Sequence, residues 1–388
     1  MVRTGCDILN DGGYSLPVGA KVGLLANQSS VSSRLGHTAG IIDGSGSELA
    51  CLFGPQHGPA GLTQANMIEW EGYTDPHFGI PVYSLYGETR SPLPVMLEGL
   101  DLVVVDLQDI GARPYTYIWT ALLMMRACAA AGVGLIVLDR PNPIGGTEVE
   151  GPMLETGYES FVGLWPLPMR HGMTIGEILL AINGTDPDPC SLEIVKMEGW
   201  QRDMLFQGTA LPWVMPSPNI PTPETALVYP GMVMLEGTNI SEGRGTTRPF
   251  ELTGAPWIDR MELTLALESA GVPGAAFRPA LFRPTFDKYA GEDCGGTQIH
   301  ITDPGTFRPV LCAVAILKAA AELYPDRFAW LDPPYEYEME KLPIDILYGG
   351  PGLRESLAGG MTAEEISAGW DDELDRFLES RSGWLLYR

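Results

Sequence analysis

The stretch "LDLVVVDLQDIGARPYTYIWTALLMMRACAAAGVGLIVLDRP" (residues 100–141) decides the fold. Its ends, "LDLVVVDLQD" (100–109) and "VGLIVLDRP" (133–141), are nearly continuous apolar runs, as in strands covered on both faces. Between them, "TYIWTALLMMRACAAAG" (116–132) predicts a helix that stops at Gly132. A strand, a helix and a second strand are joined by a right-handed crossover, which sets the strands parallel. Upstream, "KVGLLANQ" (21–28), "ELACLF" (48–53) and "IPVYSLY" (80–86) repeat the strand pattern with longer segments between. The fold class that follows is α/β, a doubly wound parallel sheet.

Parallel strands bring their following loops to one rim, and in open sheets of this kind ligands bind there. The loops carry Asn27 and Gln28, then Gln56 and His57, Glu88, Gln108, Asp109 and Arg113, and finally Asp139, Arg140 and Asn142. Such convergence of polar side chains from distant parts of the chain is the physical argument for a site. A Pro-rich connector, "LPWVMPSPNIPTPETALVYPG" (211–231), is expected to be extended and stiff, a boundary or a cleft wall. Beyond it, "MELTLALESAG" (261–271) and "VLCAVAILKAAAELYP" (310–325) read as amphipathic helices around shorter strands, a smaller α+β domain. The expected division is residues 1–227 and 228–388.

Charge narrows the partners. With 24 Lys and Arg against 49 Asp and Glu, the chain of 388 residues carries a net charge of −25, which argues against nucleic acid or an anionic membrane surface. The six cysteines have no CxxC spacing and mostly sit in apolar runs, so buried thiols are expected rather than zinc ligands or disulfides. The first residues, "MVRTGCDILNDGG", lack the apolar run of a signal peptide, and the expected compartment is the cytoplasm. No cofactor is expected. A mixed metal site from His57, Asp109 and Asp139 is the least favoured alternative, because the five histidines show no HxH or HExxH spacing.

Three segments concentrate chemistry. "DLQDIGARPYTY" (106–117) crowds Asp106, Gln108, Asp109, Arg113, Tyr115 and Tyr117 at a strand end, a mixture suited to bonding sugar hydroxyls and stacking on pyranose faces. A plain structural reading has Asp109 capping a turn and pairing with Arg113. "EGTNISEGRGTTRPFE" (236–251) alternates Glu236, Asn239, Glu242, Arg244 and Arg248 with glycines that permit close backbone approach. In "RHGMTIGE" (170–177), Thr174 and Glu177 have the spacing of a capping box, leaving His171 as a possible ligand contact.

Taken together, "LFGPQHG", "PVYSLYGETRSP", "DLVVVDLQDIGARPYTYI", "VLDRPNPIGG", "MRHGMTIGE", "PSPNIPT" and "LEGTNISEGRGTTRPFE" resemble the NamZ-type exo-β-N-acetylmuramidases over nearly the whole chain. The resemblance implies a Rossmann-like N-terminal domain, a smaller C-terminal domain closing a cleft, and release of N-acetylmuramic acid from the non-reducing end of peptidoglycan-derived saccharides. It implies sugar contacts by His57, Gln108, Arg113, Tyr115, Asp139, Arg140, Asn142, His171, Asn219, Asn239 and Arg244. Arg113 or Arg244 is favoured for the anionic lactyl group of the sugar, which suits a planar bidentate donor.

One departure bears on mechanism. Family members read Gly-Pro-Glu-His-Gly, with the Glu as proposed catalytic carboxylate, where this chain has Gln56. An amide does not titrate and cannot be a general acid. Either a neighbouring carboxylate has taken over, or the sugar's acetamido group is the nucleophile and Gln56 orients it, or the protein binds saccharide without cleaving it. For the first, Glu69 in "NMIEWEGY" (66–73) is favoured because apolar neighbours raise a carboxyl pKa. Asp109 and Glu242 are next.

Overall fold

The computed structural model describes residues 1–388. Twelve strands form three sheets: β1 (Lys21–Ala26), β2 (Glu48–Gly54), β3 (Tyr73–Thr74), β4 (Pro81–Ser84), β5 (Leu102–Asp106), β6 (Gly134–Leu138), β7 (Glu150–Met153), β8 (Pro168–Arg170), β9 (Leu192–Val195), β10 (Leu252–Ala255), β11 (Ala275–Phe282) and β12 (Cys294–Ile301). The large sheet has the order β3-β4-β2-β1-β5-β6-β9. Every neighbouring pair in it is parallel except β3 with β4. The order grows one way from β1 to β4 and the other way from β5 to β9, so the loops after β1 and β5 flank a switch point.

The central strand–helix–strand unit is as the sequence predicts. β5 is buried at all five positions and β6 at four of five. The helix Thr116–Ala131 between them ends at Gly132, which has φ 69°. A β-carbon disfavours that conformation.

A second sheet, ordered β10-β12-β11 and antiparallel, packs with helices Arg260–Ala270 and Pro309–Leu323. One apolar core runs unbroken from the large sheet, through Trp119 and Tyr229, to Leu317. The connector departs from the extended chain expected of 211–231. Its second half is the helix Pro223–Met232, because the Thr222 hydroxyl caps Thr225 N–H and Pro223 occupies the first turn, where a missing N–H costs nothing. Its first half is irregular and walls the cleft with Ser217 and Asn219. All six cysteines are buried and unpaired. No helix is long and apolar enough to cross a membrane.

Candidate active site

β2 delivers the turn that opens the site. His57 and Gly58 follow each other with φ 69° and 75°, a reversal that turns the Gln56 and His57 side chains into a cavity above the sheet. The Gln56 amide is tied on both sides. Its Oε1 accepts from Thr116 Oγ1 at 2.8 Å, and its Nε2 donates to Asn66 Oδ1 at 2.9 Å and to Glu336 Oε1 at 3.3 Å. Asn66 in turn donates from Nδ2 to Glu236 Oε2 at 2.8 Å. The result is a chain of carboxylate, amide, amide and carboxylate from Glu336 to Glu236. Glu336 Oε1 at one end and Glu236 Oε2 at the other both accept, which sets the orientation of both amides.

His57 donates from Nδ1 to Thr63 O at 2.7 Å, so Nε2 carries the lone pair. Burial first, and the Arg244 cation second, push its pKa down to about 4, and the ring is neutral at physiological pH. Glu236 accepts from Arg244 Nη2 at 2.6 Å and from Tyr335 OH at 2.7 Å. Glu242 is held by Lys288 Nζ at 3.0 Å and lies 3.3 Å from Arg244 Nε. Despite burial, these two cations keep its carboxyl below the usual range. The Tyr115 hydroxyl is buried in the cavity with no hydrogen-bond partner within the protein.

Glu336 is differently placed. It comes from the C-terminal half, on a segment where Glu336 and Tyr337 have consecutive left-handed φ values of 44° and 70°. Tyr86 OH donates to its Oε2 at 2.9 Å, and no Lys or Arg lies within ion-pair distance. Burial, aided by the Glu236 charge, raises its pKa to about 7, against the opposing hydrogen bonds from Tyr86 and Gln56. The cavity at Gln56 is narrow. A wider one of about 350 Å³ adjoins it and shares Asn66, Glu236, Arg244 and Tyr335.

Of the residues read from the sequence, Gln56, His57, Tyr115, Asn219 and Arg244 line the inner cavity, and Glu242 the outer one. Others are corrected by where they lie. Glu69 is more than half exposed, bonded to Arg90 at 3.2 Å and to Tyr337 OH at 3.1 Å, so its apolar sequence neighbours do not enclose it. Arg113 is fully buried, with both Nη groups bonded to the carbonyls of Pro152, Leu167, Leu347 and Tyr348. It cannot reach a lactyl group.

Asp139 caps the helix Ile175–Asn183 through Thr174 Oγ1 and Gly176 N–H and accepts from Tyr387 OH. Arg140 makes a two-point ion pair with Asp106, and Asn142 bonds Met173 O and Ile144 N–H. Gln108 donates to Asp109 O and Pro141 O. Asp109 accepts from Gly111 N–H and lies 3.3 Å from His171 Nε2, a buried pair beneath the rim. Asn239 is spent on Arg327 O and Ala329 N–H. The capping box of Thr174 and Glu177 is present. Sequence reading missed Glu336, Asn66 and Tyr335 as cavity residues, and Tyr86 as the hydroxyl that bonds Glu336. "PPYEYEME" (333–340) offers no motif that would single out one of its three glutamates.

Comparison with known proteins agrees with these features. Family models described as exo-β-N-acetylmuramidase NamZ, N-terminal and C-terminal, match residues 22–224 and 227–387. The peptidoglycan β-N-acetylmuramidase NamZ of Bacillus subtilis (strain 168) is 42% identical over 387 residues, covering 100% of this chain and 91% of that protein. A crystal structure of a DUF1343 family protein from Bacteroides fragilis superposes with a TM-score of 0.89 at 34% identity, covering 100% of this chain and 99% of that one. A second from the same organism gives 0.77 at 26% identity, with the same coverage.

Proposed function

The chain belongs to the exo-β-N-acetylmuramidase NamZ family, and from that premise we propose where and how it works. The protein is a glycoside hydrolase, releasing N-acetylmuramic acid from the non-reducing end of peptidoglycan-derived saccharides. Its chemistry takes place in the cleft between the Gln56 turn and the Glu236–Arg244 segment. The observation that carries this is the Asn66–Glu236 hydrogen bond of 2.8 Å, which joins the two halves of the chain across a cavity at the strand ends. The adjoining space of about 350 Å³ falls within the range of small-molecule sites. The portion from residue 228 onward closes the cleft, a division supported by the family-model boundary between 224 and 227.

His57 Nε2, the Tyr115 hydroxyl and Asn219 are the proposed contacts to sugar hydroxyls and acetamide. Of the motif arginines, Arg113 and Arg170 are buried and bond backbone carbonyls, Arg140 is paired with Asp106, and Arg248 pairs with Glu251 at 3.0 Å. Arg244 lines both cavities and is the proposed partner of the lactyl carboxylate. Unpaired thiols support a cytoplasmic setting, since disulfides persist mainly in oxidising compartments.

The test is turnover of a chromogenic N-acetylmuramide beside the matching N-acetylglucosaminide, which lacks the lactyl group. Preference for the muramide is expected, and Arg244→Lys should weaken the muramide about tenfold while sparing the glucosaminide. Binding of the muramide without turnover would make the protein a saccharide-binding member of the family. Equal handling of the two sugars would remove Arg244 from its role.

A further inference from the structure

The family pattern puts a carboxyl at the position of Gln56, and that carboxyl is absent here. Another carboxyl touches the same amide. Glu336 Oε1 lies 3.3 Å from Gln56 Nε2, and Glu336 lines the same cavity. We infer that Glu336 is the proton donor for glycosidic bond cleavage in this protein and that Gln56 is its positioning residue. This rests on the hydrolase reading above and adds the residue that performs the proton transfer.

Three observations separate Glu336 from the other acids. Glu236 and Glu242 are each ion-paired to a cation at 2.6–3.3 Å. Glu69 is exposed and paired with Arg90. Glu336 is buried without an ion-pair partner, the setting in which a carboxyl keeps its proton near neutrality. The groups facing it are Tyr86 and Gln56 in direct contact, with the charges of Glu236 and Arg90 farther off. Its backbone is also held in the left-handed region, together with that of Tyr337, and such conformations persist only where surrounding contacts enforce them. Here Tyr335 OH on Glu236 and Tyr337 OH on Glu69 hold the segment from either side.

The amide also fixes which oxygen carries the proton. Gln56 Nε2 donates to Oε1, so the proton of the neutral acid sits on Oε2, the oxygen that accepts from Tyr86 OH when the carboxyl is ionised. On binding, the glycosidic oxygen takes the place of Tyr86. Oε2 gives its proton to that oxygen, and the C1–O bond breaks with its electron pair passing to the departing hydroxyl. Water then bonds to C1, and the proton it loses restores the Glu336 carboxyl for the next turnover.

The experiment compares two muramides, one with a sugar aglycone and one with a dinitrophenolate leaving group that departs without protonation. Glu336→Gln, which preserves size and polarity, should lower turnover of the first by about two to four orders of magnitude and of the second by less than about tenfold. Equal losses on both substrates, or no loss on either, would overturn the assignment. A parent protein inactive on both would overturn the hydrolase reading and the assignment with it. Tyr86→Phe gives an independent check. It removes a hydrogen bond that favours the carboxylate, so the alkaline limb of kcat/KM should move to higher pH. A limb that stays in place in an active Tyr86→Phe protein would count against Glu336.

Discussion

Glu336 couples catalysis to stability. Its carboxyl has an ordinary pKa of 4.5 and is raised to about 7 in the folded protein, chiefly by burial. The folded state therefore holds a proton that the unfolded state has released between those values. Stability is greatest below pH 4.5 and falls as pH rises through 7, by on the order of 3 kcal/mol for this group. Glu336→Gln removes the titration. Urea unfolding at several pH values should find the variant more stable than the parent at pH 8, with the difference vanishing toward pH 4. A difference independent of pH would show that the buried carboxyl is not charging in this window. The same buried, uncompensated setting that makes the group a proton donor thus destabilises the fold at neutral pH.

At the scale of elements, polar residues of the strand-end loops divide between the cavity and the framework. Arg113 bonds carbonyls from three separate segments at 2.7–2.9 Å and tethers the turn after β5 to the C-terminal helix Pro343–Tyr348. Lysine has no planar fork, so Arg113→Lys would leave buried carbonyls unpaired at a cost on the order of 3 kcal/mol. Thermal unfolding should report that loss, with KM for the muramide unchanged in the fraction that remains folded. Thr174→Ala removes a cap on the helix Ile175–Asn183 and one hydrogen bond to Asp139, and should cost about 1–2 kcal/mol without altering substrate preference. A change in muramide selectivity in the Arg113 variant would return that residue to the binding site, and one in the Thr174 variant would tie the helix cap to substrate recognition.

The whole molecule opposes its own substrate. A protein of net charge −25 repels the lactyl anion at long range, and only Arg244 and Lys288 offset Glu236, Glu242, Asp287 and Asp332 around the outer cavity. Screening by salt acts over about 10 Å at 0.1 M, so raising ionic strength should weaken the long-range repulsion more than the close Arg244 contact. KM for the muramide is expected to fall, on the order of twofold, between low and physiological salt. The neutral glucosaminide should show no such trend, and a muramide KM that rises with salt would mean that attraction dominates.

The sequence by itself determined what depends on near neighbours along the chain. Doubly buried runs at 100–109 and 133–141 with a helical span between them specify β5, β6 and their crossover, Gly132 ends that helix, and Thr174 with Glu177 caps another. These are consequences of periodicity and of bonds spanning three or four residues. The rim was legible as well, since parallel strands must deliver Gln56, Asp109, Arg113 and Asp139 near one edge. Which of those side chains rise into the cleft was not legible, because a strand-end residue can point up to solvent, down into the layer, or sideways to a helix terminus. Packing sent Arg113 into the core and Asp139 to the helix at Thr174. Glu336 is the extreme case, meeting Gln56 across 280 residues of chain. Its chemistry comes from burial without a cation beside it, a property of its surroundings that only the tertiary structure supplies.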